Sequence, residues 1–241
     1  MEEKKAMIAE LKKIVFNKMF WIILMCGSSF RTFMAILDFK NRKNTYWELA
    51  DNFWHNIGSF TIGMVILLVA IRIISYDKET KIFDVINTTY KGRVVLFLKR
   101  IIAAIIGVLL SITILFTVNI LISSFIAEKF ILTEAFLKKY CIVLLASIGY
   151  LIFCLLICDI LKNHTAAMVV CGFPFGYTFL LGRESLQAYD VLWFIKYGFF
   201  ADMIRGHSIS SHHWFWFIWY SLLFVMLFSI SLYLRKVHKE L

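Results

Sequence analysis

Long apolar runs alternate with short polar stretches along this chain, and the runs have the length that a bilayer demands. They cover residues 19–37, 56–74, 101–124, 140–161, 165–181 and 213–234. A helix rises about 1.5 Å per residue, so about 20 apolar residues cross a hydrocarbon core about 30 Å thick. The pattern predicts an all-α, polytopic membrane protein with six transmembrane helices, a single domain over residues 1–241. Residues 2–18 read differently. Met7, Ile8, Leu11, Ile14 and Val15 fall on one side of a helix, while Lys4, Lys5, Lys12, Lys13 and Lys18 lie mostly elsewhere. This is the pattern of a helix lying in the interface plane, with lysines near headgroups and the apolar stripe in the acyl boundary.

Between the second and third runs lies a polar island, Ser75 to Arg100. Ile82, Val85, Ile86 and Thr89 recur in it at helical spacing, with Lys81, Asp84 and Asn87 on other faces. Asp77 is placed to cap a helix, and Glu79 to favour its positive first turn. Lys91, Gly92 and Arg93 form a break before the apolar run resumes. The stretch predicts a short helix on the cytosolic membrane face, offering a surface to a soluble partner. An ordinary basic loop that obeys topology fits the same residues.

Composition sharpens the class. The hydrophobic fraction is 61% and the mean hydropathy +0.77, against about 45–50% apolar residues in soluble domains. The net charge of +10 sits between apolar runs, where anionic lipid headgroups are the natural counter-charge. It forms no single cluster interleaved with aromatics, which excludes a nucleic-acid reading. Lysines and arginines concentrate in residues 2–18, 72–100 and 235–239, and the positive-inside rule places these segments, and both termini, in the cytosol. No cleavable signal is evident, so the first run is expected to remain as an anchor.

A few residues stand out from this pattern. Arg31 lies within the first run and is expected to snorkel outward, with substrate contact as its other role. The five cysteines have neither disulfide nor zinc spacing; Cys154 and Cys158 share a helix face and read as small packing residues. The only proline stands in Cys171–Gly172–Phe173–Pro174–Phe175–Gly176. Gly172, Pro174 and Gly176 thus mark a hinge, either a span that flexes or a static kink satisfied by its neighbours. His207, His212 and His213 cluster near one end of the last run, where polar residues are expected anyway. Residues 182–211 are apolar enough to dip into the outer leaflet as short helices.

Signatures of chemistry are missing. The sequence has no G-x-x-x-x-G-K-[ST] phosphate loop, no H-E-x-x-H and no G-x-S-x-G. No catalytic residue, bound cofactor or metal is expected, and the chain does not hydrolyse nucleotide by itself. Charges are nearly absent from span centres, which argues against a proton- or ion-coupled carrier.

The order of parts is specific: an interfacial helix, six spans, a polar cytosolic helix between the second and third, and an amphipathic outer segment between the fifth and sixth. Over essentially the whole chain this resembles the membrane subunit of type 2 ATP-binding-cassette (ABC) exporters. The most specific local match is Glu79, Ile82, Val85, Ile86, Arg93 and Lys99. These fill the family's pattern of an acidic residue, a short apolar helix, a basic residue and a lysine re-entering the bilayer. Where the family often has a proline-containing turn before the arginine, this chain has Tyr90–Lys91–Gly92. The resemblance implies a permease dimer, with a second copy of this chain as partner, bound to two separate ATPase subunits that carry ATP and Mg. It makes Glu79, Ile82, Phe83, Val85, Ile86 and Arg93 the ATPase-coupling residues. The small size resembles permeases for bacteriocins, lantibiotics or amphipathic toxin peptides. A membrane immunity or sensor protein that binds a peptide without pumping is the alternative function.

Overall fold

The structure is a computed structural model and describes residues 2–41, 54–79, 90–127, 134–161, 164–180, 201–204 and 211–237. Apolar segments in lipid must satisfy their backbone groups internally, and a helix does this within one segment. The described residues are accordingly helical, with no strand among them. The helices are α1 (Glu2–Val15), α2 (Lys18–Asn41), α3 (Ser59–Glu79, entered through a π-helical turn Trp54–Gly58), α4 (Tyr90–Ala127), α5 (Glu134–Leu161), α6 (His164–Leu180) and α7 (Ser211–Val237), with a single helical turn at Ala201–Ile204.

Within α4, residues Val95–Phe125, and the whole of α5, are long and apolar enough to cross a membrane. The pair Met7–Val15 and Lys18–Met34 makes a third span if taken as one element bent by 53°. Ser59–Ile74 of α3 and Phe217–Tyr233 of α7 are apolar but shorter. The described residues thus carry two spans, or three with the bent pair, where the sequence pattern led us to expect six.

The bend between α1 and α2 has a local cause. Asn17 caps α2: its Oδ1 accepts the Met19 N–H at 3.0 Å, meeting one of the orphan donors of a helix start. The last carbonyls of α1 need partners too. The Asn17 N–H reaches Ile14 O at 3.1 Å, and the Trp21 indole donates to Val15 O at 2.7 Å. Both helix ends thus gain partners in the bent form.

Side-chain contacts fix the direction of each helix. Glu10 of α1 meets Arg100 of α4, Ile14 lies against Gly107, and Arg31 of α2 bonds Asn119 and Ser123, so α1, α2 and α4 advance together. At the Asn119 end, Trp54 packs on Phe116 with ring centroids 5.1 Å apart, and Phe116 meets Phe136 at 4.6 Å and Tyr140 at 4.8 Å. The starts of α3 and α5 thus lie where α4 is ending. Phe153 contacts Tyr220, and Ser231 bonds Asp159 at 2.5 Å, so α7 runs parallel to α5. Only two residues separate the end of α5 from the start of α6, and Cys171 of α6 returns to Tyr150 of α5, so α6 runs back along α5. From α2 to α7 the chain thus alternates in direction.

At the centre is α3. Ile62, Val65, Ile66, Val69, Ala70 and Ile73 are all buried, recurring at helical spacing, and α3 touches every helix from α1 to α6. The outermost helix is α7, whose Trp214, Phe215, Ile218, Leu222 and Val225 are exposed. On α1 the buried face centres on Glu10 and Ile14, which pack against the bundle, while Ile8 is exposed. The apolar stripe read from sequence is therefore split between protein and surface.

Two boundaries differ from expectation. Residues Ser75–Glu79 continue α3, so Asp77 and Glu79 lie in its last turns and do not open a new helix. Tyr90–Lys91–Gly92 begins α4 and is not a break before it. Extending an existing helix adds a hydrogen bond per residue, whereas a separate one needs a costly nucleus.

Among the described glycines, Gly27 at the crossing of α2 and α3 is the most closely approached. A Cβ on Gly27 would stand 2.6 Å from Thr61 Oγ1 and 2.7 Å from its Cγ2. Because both branches of Thr61 face the glycine, rotating that side chain gives no relief. Gly27→Ala is expected to destabilise the protein by about 1–3 kcal/mol through overpacking, measured by denaturant unfolding in bicelles. Thr61→Ala added to Gly27→Ala is expected to recover most of the loss.

Candidate functional site

Polar groups inside an apolar bundle are costly unless bonded, so their partners show where the sequence has invested polarity. Beside the Ser231–Asp159 bond between α7 and α5, three such places stand out among the described residues. The first joins α1 to the start of α4. Glu10, 4% exposed, binds Lys13 one turn on (Nζ to Oε1, 2.7 Å) and faces Arg100 across the helix contact (Nε to Oε2, 3.9 Å). Arg100 closes the polar island, so this ionic group ties the N-terminal helix to the base of the candidate coupling segment. Gly107, two turns further along α4, lets α1 approach: a Cβ there would lie 3.1 Å from Ile14 Cδ1 and Cγ2.

The second place is Arg31, and it corrects the snorkelling expectation. Its side chain does not reach outward; the residue is 1% exposed, with Nε donating to Asn119 Oδ1 and Nη2 to Ser123 Oγ, both at 2.7 Å. Asn119 and Ser123 stand one turn apart on α4 and are themselves buried. A guanidinium offers several donors in a fixed fork, and two polar side chains at i and i+4 match it on one helix face. The physical reason for the correction is that α4 runs parallel to α2 and sets two acceptors directly beside the guanidinium.

The third place is the proline region. The α-helical segment His164–Leu180 runs through Gly172, Pro174 and Gly176. The phenol of Tyr150 on α5 donates to the backbone carbonyl of Cys171, and a Cβ on Gly172 would lie 3.6 Å from Leu67 of α3. Cys154 and Cys158, one turn apart on α5, are buried beside this point together with Cys171, and all three are free thiols.

Of the coupling residues named from sequence, Glu79 is the last residue of α3 and Arg93 lies in the first turn of α4. Ile82, Phe83, Val85 and Ile86 lie outside the described residues, as does His207. His212 and His213 fall in the first turn of α7. Among the described residues no three His, Cys, Asp or Glu side chains converge as a metal site.

Sequence reasoning passed over Glu10, Asn119 and Tyr150. Signals existed for the first two: Glu10 shares a helix face with Met7 and Ile14, and Asn119 and Ser123 share one on a run without charge. Nothing local marks Tyr150. Comparison with family models, with curated proteins and with solved structures finds no match for this chain.

Hydrogen bonds to a charged group contribute about 1.5–3 kcal/mol each. Asn119→Leu is therefore expected to lower stability by about that amount. Adding Arg31→Met is expected to return part of it, because the remaining partner is then apolar. Denaturant unfolding of the two single variants and the double variant gives the coupling.

Proposed function

We propose that the chain is the permease subunit of a type 2 ABC exporter in a bacterial cell membrane. In this reading α2 to α7 are six spans, both termini are cytosolic, and α1 is an interfacial helix docked on α4. Two copies of the chain form the transport unit, and two separate ATPase subunits supply ATP and Mg. The cargo is a lipophilic or amphipathic molecule, such as a peptide, moved out of the cell. Gly172, Pro174 and Gly176 serve as the hinge.

One observation carries the reading: the helices alternate in direction from α2 to α7, while α3 and α4 run on as helices past their apolar stretches toward the same polar segment. A push on that segment would reach both helices as rigid bodies, and the Glu10–Arg100 contact would carry it to α1. Such an element, biased by a ligand on another chain, turns a local event into a change across the membrane. The absence of a phosphate loop from the sequence fits a chain that borrows its energy.

Ile82 and Val85 are the residues through which the ATPase would be engaged. An aspartate buried at that contact costs several kcal/mol without a partner. Ile82→Asp and Val85→Asp are expected to lower ATP-dependent transport in vesicles by about tenfold or more, with the protein still inserted. Unchanged transport in both variants, or transport without any co-expressed ATPase, would overturn the proposal.

A further inference from the structure

Pro174 has no N–H, so α6 cannot supply the usual donor to the carbonyl four residues earlier, that of Val170. Inside a membrane such a break is tolerated when neighbouring helices serve the carbonyls it disturbs. The next carbonyl along, that of Cys171, receives the phenol of Tyr150 from α5. Tyr150 is fully buried and Cys171 nearly so, which leaves no water to take over the bond. On α6 itself, Gly172 lies beside Leu67 of the central helix α3, so the proline region touches both α3 and α5.

Tyr150 is held in place from its own helix and from α7. Its ring stacks near that of Phe153, with centroids 6.2 Å apart, and Phe153 in turn meets Tyr220 of α7. The phenol therefore reaches the carbonyl from a fixed position. Among the described residues this is a side-chain bond from α5 to the backbone of α6 at the one stretch of α6 that proline weakens.

We propose that Tyr150 is a positioning residue that latches the proline break of α6. With the phenol on the Cys171 carbonyl, α5 and α6 move as one hairpin. With the bond open, α6 bends at Gly172–Gly176 independently of α5. The latch is a property of the fold and does not rest on the transport reading, so its test uses no ATPase and no cargo.

The experiment is hydrogen–deuterium exchange of the full-length chain in lipid nanodiscs, read on peptides covering residues 164–180. Tyr150→Phe keeps the ring and removes the donor. It is expected to speed exchange in α6 about five- to tenfold, the weight of one neutral hydrogen bond, with α2 and α3 unchanged. In a Pro174→Ala background, where the helix regains its own donor, the same substitution is expected to change exchange less than about twofold. Labelling of Cys171 by N-ethylmaleimide should follow the same order, faster in Tyr150→Phe and slow again in the double variant. Equal acceleration in both backgrounds, acceleration spread over all helices, or no change in Tyr150→Phe alone would overturn the latch.

Discussion

The bundle depends on polar anchors spaced along a single helix. Near its start α4 presents Arg100 to Glu10, and five turns later it presents Asn119 and Ser123 to Arg31. Charges within an apolar interior are tolerated only when bonded, and the cost of leaving one unbonded far exceeds that of misplacing a leucine. These contacts therefore set the register of the bent α1–α2 pair on α4 in a way that apolar packing alone could not. Once α2 lies parallel to α4, Gly27 falls at Thr61, and α3 takes the central position between them and α5.

The same arithmetic explains the arrangement at the other side of the molecule. There α5 holds α6 through Tyr150 and α7 through Asp159 and Phe153. Each attachment uses one polar contact, buried at Tyr150 and half-buried at Asp159, where the neighbouring surfaces are otherwise apolar. Helices in lipid gain little from burying apolar area against each other, so packing shape and a few hydrogen bonds decide which pairs form. The broad exposed apolar face of α7 needs no such contact if lipid or a second copy covers it.

The helical content was legible because apolar runs of this length fold as helices: each run lies within one described helix, apart from the edges of 56–74 and 165–181. Yet only two of these helices, or three with the bent α1–α2 pair, are long and apolar enough to cross a membrane. The helix ends were less legible. Ser75–Glu79 and Tyr90–Gly92 are polar or flexible by composition, yet they extend α3 and α4, since propagation from a packed helix outweighs local preference. Arg31 was misread for a related reason: a sequence shows how far a side chain is from the membrane surface, but not that Asn119 lies beside it, 88 residues away. Glu10 was passed over, since nothing in the sequence places Arg100, 90 residues on, opposite it as its buried partner. The candidate coupling residues Ile82 to Ile86 rest on spacing and resemblance.

The side of the membrane that the segment between α3 and α4 faces decides the proposed reading, because the proposed direction of each span and the place of the proposed ATPase follow from it. Single cysteines at Val85 and at Asn44, introduced after the five native cysteines are replaced, can be labelled with a membrane-impermeant maleimide in intact and permeabilised cells. The account predicts that position 44 labels in intact cells and position 85 only after permeabilisation. Labelling of position 85 from outside intact cells would contradict it.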